Sequence, residues 1–309
     1  MRKAILLLFL VAAMMTASAQ EEAFDFTPEW LQKIEKLAPA KAEVQPAKTR
    51  KVLIFDRFTG FNHWVIPHTS QVIKMLGQKT GAYETRITKD VFCFEASNLK
   101  NYDMVVLNST CSKGPRRDLI MDALEEDTSM DEEQVKKKAA ELEANLISYV
   151  EKGGGLMVVH GAIVMQNNSM PFSEMVGGSF DYHPRQQSVT LELAEPSHPL
   201  TKAFNGQAFT HVDEPYLFNK AYEKKNFRPL LQMDTDKLTG KTKPIDDNIR
   251  YVSWIKKHGK GRVFYVSPSH NAQSFEDARL LKFYLDGAQY AIGDFKCDDS
   301  PLNSALKKN

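Results

Sequence analysis

Five histidines stand in loops marked by glycine or proline. They are His63 in Gly60-Phe61-Asn62-His63, His160 before Gly161-Ala162, His183 in Asp181-Tyr182-His183-Pro184, His211 in His211-Val212-Asp213-Glu214, and His270 in Ser267-Pro268-Ser269-His270. An imidazole can exchange a proton or bind a metal near neutral pH. Asp213 and Glu214, followed by Pro215 and Tyr216, add a carboxylate pair to this company. A carboxylate beside histidines orients a tautomer, acts as a base or ligates a divalent metal. Taken singly, each of these side chains reads equally as structural: a histidine bonded to its loop, or an acid in a solvated turn. Their equivalent places in the chain are what point to one site.

Those places are the ends of strands. Gly153-Gly154-Gly155 stops a charged helical pattern, and Leu156-Met157-Val158-Val159 then reads as a fully buried strand of a parallel sheet. Val52 to Phe55, Met104 to Leu107 and Val263 to Val266 are runs of the same kind. Helical periodicity between several of them implies parallel pairing through right-handed crossovers. In an open α/β sheet, ligands collect outside the carboxyl ends of the strands. The histidine loops are therefore expected to converge in one pocket. His160, with two small residues after it, is expected to lie beside solvent and face that crevice, so that its loss costs little folding free energy.

The remaining elements frame this core. Thr27 and Pro28 begin a helix to about Leu37, with Phe26 placed to staple onto Leu31. Residues 38–50 read as a linker. The charged stretch from 113 divides into a short helix over 116–127 and a long one over 134–152, for which Ser129 and Glu132 form a capping box. Its apolar face holds Val135, Ala139, Leu142, Leu146 and Tyr149. After His160 the strands shorten and alternate, at 188–193, 216–218, 230–233 and 251–255. Residues 236–247 read as a polar surface loop, and a helix over 276–292 closes the sheet. His198, before Pro199, reads as structural; His68 and His258 carry no distinguishing context.

Composition excludes several classes. At 42% apolar and 26% charged, the chain is ordinary globular material. A formal charge of +1 gives no electrostatic basis for binding nucleic acid or an anionic membrane. There is no Walker A loop, no GxGxxG after the first strand and no GxSxG elbow. Cys93, Cys111 and Cys297 fit neither a CxxC pair nor a zinc cluster, and their spacing dictates no disulfide. Cys111 has no histidine beside it in sequence to activate it as a nucleophile. Arg2 and Lys3, the apolar run Ala4 to Met15 and Ala17-Ser18-Ala19 read as a secretory signal peptide over 1–19. A mature chain starting at Gln20, exported to a bacterial periplasm and carrying no membrane anchor, is expected.

Six stretches taken together resemble the ThuA-like, or trehalose-utilisation, family over about 51–293. They are Gly60-Phe61-Asn62-His63 with Pro67, Tyr149 through the glycines to His160, Gly177-Gly178-Ser179-Phe180-Asp181-Tyr182-His183-Pro184, Pro196-Ser197-His198-Pro199-Leu200-Thr201, Asp213-Glu214-Pro215-Tyr216, and Gly259 to Tyr265 ending near His270. The resemblance implies a class I glutamine-amidotransferase-like fold. This is a flavodoxin-like three-layer α/β sandwich with a mostly parallel central sheet. Residues 1–19 would be the leader, 20–50 an N-terminal helix and linker, 51–293 the ThuA-like domain and 294–309 a tail. His160 takes the place of the amidotransferase nucleophilic cysteine, so amidotransfer is not expected. The family is associated with trehalose, related disaccharides and glycosides oxidised to a ketone at C3. The resemblance therefore implies an exported enzyme cleaving a 3-keto-glycoside by C2 proton abstraction, elimination and hydration, a net hydrolysis. His160, His183 and Asp213 would be catalytic, and His63, Glu214, Tyr216 and His270 would bind substrate. The site works either without a metal or with one divalent ion among His160, His183 and His270. A non-catalytic sugar-binding protein and a keto-sugar isomerase are the alternatives. The expected partner is a small-molecule sugar or glycoside; a homo-oligomer is compatible with the sequence.

Overall fold

The structure, a computed structural model, describes residues 21–301, so the expected leader over 1–19 and the end of the tail lie outside the described residues. The chain begins with α1 (Pro28–Leu37), in which the Thr27 side chain accepts the Trp30 amide at 3.1 Å. There follow β1 (Lys51–Phe55), α2 (Ile66–Thr80), β2 (Glu84–Thr88), α3 (Ala96–Leu99), β3 (Met104–Asn108), α4 (Leu119–Asp127), α5 (Glu132–Glu151) and β4 (Gly155–Val159). The second half holds α6 (Met170–Val176), β5 (Ser179–Tyr182), β6 (Gln187–Leu193), β7 (Phe209–Asp213), β8 (Leu217–Asn219), β9 (Arg228–Asp234), β10 (Ile249–His258), β11 (Gly261–Val266) and α7 (Ala278–Ile292).

One nine-stranded sheet runs in the order β2-β1-β3-β4-β11-β10-β9-β6-β7, while β5 and β8 form a separate ribbon. From β2 to β11 every pairing is parallel. The apolar runs expected as central strands are β1, β3, β4 and β11, and their residues are buried on both faces. Helices α2 and α7 pack together as one outer layer. Helix α5, with α3, α4 and α6 against it, makes the other. This is the expected flavodoxin-like three-layer sandwich, extended by an antiparallel half.

That extension has a consequence for the site. Four successive antiparallel pairings bring β7 back to the direction of β11. With strands spaced at about 4.8 Å, a flat sheet would hold β7 roughly 19 Å from β11. Yet the side chain of Asp213, the last residue of β7, accepts a hydrogen bond at 2.9 Å from the Ser269 amide just beyond β11. The antiparallel half therefore curls back over the carboxyl end of the parallel half. Register shifts in β10 around Ser253 supply local bends of the kind a β-bulge makes.

Local details differ from the sequence reading. Asp131, not Ser129, caps α5: its side chain accepts the Gln134 amide at 2.9 Å and Gln134 reaches back to the Asp131 amide at 3.1 Å. Ser129 is displaced from the cap because Thr128 still finishes α4, its hydroxyl bonded to the Leu124 carbonyl at 2.7 Å. Helix α7 starts at Ala278 because Asp277 caps it, and Glu276 closes a short 3-10 turn before it. All three cysteines are free thiols. Helix α4 braces the loop after β1: Arg57 pairs with Glu126 and Asp127, and the Thr59 hydroxyl donates to the buried Asp122 at 2.7 Å. The N-terminal segment is docked through aromatic rings. Phe24, Phe26, Trp30 and Trp64 surround His68 with ring centroids 4.9–5.6 Å away.

Burial in that aromatic box pushes the His68 pKa below its ordinary value of 6.5. Below that value the unfolded chain takes up a proton that the folded one resists, so stability rises with pH and falls on acidification. Denaturant titrations between about pH 5 and 8 should show this loss, and His68→Phe should flatten it. An equal slope in both proteins would contradict the neutral, ring-enclosed His68.

Candidate active site

The site is built at the carboxyl ends of β1, β4, β11 and β7. The loop after β1 is tied down where the amides of Thr59 and Gly60 both donate to the Cys111 carbonyl at 2.9 Å. This places Phe61 and His63. His160 directly follows β4 with a left-handed φ of +46°. Ser109 after β3 (φ +48°) and Ser269 after β11 (φ +124°) are also non-glycine residues at positive φ. Three neighbouring strand ends thus hold backbone that the surrounding fold must enforce. Gly161 is required by space: a Cβ there would stand 2.6 Å from His63 Cε1 and 2.8 Å from Cys111 Sγ.

Glu214 is the hub. Its Oε2 lies 3.1 Å from His270 Nδ1, 3.4 Å from His160 Nε2 and 3.8 Å from His63 Nε2. Its Oε1 faces His183 Nε2 at 3.7 Å. His160 Nε2 and His270 Nδ1 are 3.3 Å apart. The His160 tautomer follows from its other nitrogen: Nδ1 sits 2.8 Å from the Ser267 carbonyl, which can only accept, so Nδ1 carries a hydrogen. Asp213 approaches His160 at its other nitrogen, Oδ1 to Nδ1 at 3.9 Å. Its oxygens accept the amides of Glu214 at 2.7 Å, Ser269 at 2.9 Å and His270 at 3.4 Å, and meet His211 Nδ1 at 3.2 Å. His211 in turn contacts the Ser274 hydroxyl at 3.0 Å.

The electrostatics follow from burial and this contact set. Burial alone would raise the Glu214 pKa, but the surrounding imidazoles of His160, His270 and His63 overcome it and hold the carboxyl well below its usual range. Burial pushes His63 down to about 4. Burial opposes the charged form of His160 too, yet Glu214 and Asp213 outweigh it and raise that pKa. Cys111 donates to the Gly161 carbonyl at 3.3 Å beside the site, and burial pushes its thiol up to about 12. A thiol so protonated is no nucleophile near neutrality.

His63, His160, His183 and His270 gather around Glu214 at different depths, whereas His211, expected in a loop, lies inside β7 and meets Asp213 instead. His160 is 0% exposed, enclosed by the rings of Tyr216, His63 and His270 at 4.5–5.3 Å. It does not lie beside solvent as expected, because the curled half brings Tyr216 over it. Its removal would therefore leave a hole in a packed cluster. His183 is the ring at the surface, with its side chain 32% exposed and stacked on Tyr216 at 5.3 Å and 20°. Phe61 is 60% exposed and stacks on His270 at 6.4 Å and 28°. Sequence reasoning passed over Phe61, although a large aromatic beside His63 in a tight loop was the available signal. Among the described residues, His63, His160, His270 and Glu214 are those whose donor atoms could surround a cation; His183 lies outside that set. His198 is structural, bonded to the Leu200 amide and the Asp298 carbonyl.

The family model for ThuA, described as trehalose utilisation, matches residues 51–291. The chain belongs to the ThuA family. Among solved structures it is similar to a ThuA-like protein of Bacteroides uniformis, with 19% identity, a TM-score of 0.58 and coverage of 81% of this chain and 94% of that one. It is also similar to a ThuA-like protein of Parabacteroides merdae, at 18% identity and a TM-score of 0.56, covering 80% of this chain and 91% of that one. At such identities the likeness concerns the fold. No curated protein matches the sequence. The ThuA domain thus brings a glutamine-amidotransferase-like fold of sugar metabolism, with His160 on the strained turn after its central strand.

The tight seat of Gly161 gives a test. Gly161→Ala should cost about 1–3 kcal/mol, since the added methyl must push His63 or Cys111 aside. Thermal and denaturant unfolding measure it. A fully stable variant with His63 in place would show that the turn is looser than described.

Proposed function

We propose that this ThuA protein is an exported enzyme that cleaves 3-keto-glycosides by elimination and hydration. The observation that carries the reading is the buried Glu214 cluster, which is touched by one partly exposed titratable ring, His183, and by one exposed aromatic, Phe61. The Phe61 face suits the apolar face of a sugar ring. A ketone at C3 acidifies the proton on C2, and His183 is the accessible base to take it. The enolate oxygen at C3 then needs a positive neighbour, which the cluster around Glu214 would supply. Expulsion of the C1 substituent with a proton leaves a C1–C2 double bond conjugated to the ketone. Water adds its hydroxyl to C1 and a proton returns to C2, so the sum is hydrolysis. In this reading Asp213 is a positioning residue, since its oxygens are occupied by backbone amides. The leader-like segment before Gln20 supports export.

Mass spectrometry with a 3-keto-disaccharide tests the reading. Two monosaccharide products, one of them a keto-sugar, are expected. His183→Ala should remain folded and lose about 10²-fold or more in turnover, the usual contribution of a general base. Saturable binding without product would mark a sugar-binding protein, and a product of unchanged mass an isomerase; either result overturns the proposal.

A further inference from the structure

The donor atoms of His63, His160, His270 and Glu214 lie within 4.8 Å of one another. We infer that they form a divalent transition-metal centre, bound through His63 Nε2, His160 Nε2, His270 Nδ1 and Glu214 Oε2. The inference rests on geometry and is independent of the substrate.

The first support is the His160 tautomer. With its hydrogen on Nδ1 and bonded to Ser267, the neutral ring turns an unshared pair toward Glu214 Oε2 and toward His270. Unshared pairs aimed at a carboxylate repel unless a positive charge stands among them. That charge is either a proton or a metal ion, and the separations decide. Charge-assisted N–H···O bonds close to about 2.7–2.9 Å. All three approaches to Glu214 Oε2, at 3.1, 3.4 and 3.8 Å, are longer than that, and the two nitrogens His160 Nε2 and His270 Nδ1 stand 3.3 Å apart. Bonds of about 2.0–2.1 Å from one metal to tetrahedrally placed ligands set those ligands roughly 3.3 Å apart. The donors sit around that distance.

The chemistry of the set agrees. Imidazoles with one carboxylate suit zinc and its first-row neighbours rather than calcium or magnesium, which take oxygen. The outer contacts are those a metal site uses: a carbonyl fixes one ligand's tautomer, and Asp213 holds the backbone of Glu214 and His270. His183 contacts only the other Glu214 oxygen, so it stays outside the centre and free to act as a base.

The test uses the mature chain stripped with a chelator, then titrated separately with Zn²⁺, Mn²⁺, Co²⁺ and Ni²⁺ by calorimetry. At least one of these ions should bind at one equivalent per chain and raise the melting temperature. His63→Ala, His160→Ala, His270→Ala and Glu214→Ala should each weaken that binding by at least about 100-fold. His183→Ala should bind as the parent does. In case a ligand variant fails to fold, anomalous diffraction from metal-soaked parent crystals gives a second reading, with a peak expected among the four side chains. No stoichiometric binding, full binding in the ligand variants or a peak elsewhere would overturn the inference. Turnover is not a readout here, so failure of the centre and failure of the proposed reaction are seen separately.

Discussion

The carboxylate of Asp213 is the tie on which the site depends. It closes the curled antiparallel half onto the parallel half by gathering the amides of Glu214, Ser269 and His270. Hydrogen bonds to a charged acceptor contribute about 1.5–3 kcal/mol each, more than neutral ones. Because the tie is buried, it is not exchanged for water. Its geometric effect matters more than its energy. It sets Glu214 at the end of one strand against His270 beyond another, although strand order separates those strands by four places.

Around that tie, the strained residues make sense as consequences of a rigid core. Ser109, His160 and Ser269 hold left-handed backbone at the ends of β3, β4 and β11, which cost of order 1–3 kcal/mol each. They persist because the parallel strands beneath them are packed on both faces and leave no room for relaxation. The strain turns the chain sharply, so that His160 enters the cluster instead of continuing the strand. Gly161 completes the turn by leaving room for His63 and Cys111.

The parallel core was legible in the sequence because its strands are continuous apolar runs bounded by glycine or by helices, a pattern local to each segment. The loops of His63, His160 and His270 were legible for a related reason: strand ends of a parallel sheet share one edge whatever the loop details, a reason that does not extend to His183 after the β5 ribbon or to His211 inside β7. What could not be read is what the curl creates. Nothing local to Asp213 says that its oxygens meet amides beyond β11; it was expected as a catalytic partner of His160 and lies 3.9 Å from that ring, while Glu214 approaches more closely, at 3.4 Å. The enclosure of His160 depends on Tyr216 arriving from the other half, and the exposed setting expected for it failed for that reason. The Ser129 cap failed more simply. Two adjacent capping signals competed, and Thr128 was still engaged with α4.

The central claim is that Asp213 assembles the cluster, and the crystal structure of Asp213→Asn tests it most directly. An amide of the same shape offers one acceptor oxygen in place of two. The account predicts that β1, β3, β4 and β11 superpose on the parent while the loop carrying Ser269 and His270 shifts. The 3.1 Å approach of His270 to Glu214 should then open. A variant structure in which His63, His160, His270 and Glu214 keep their separations would contradict it.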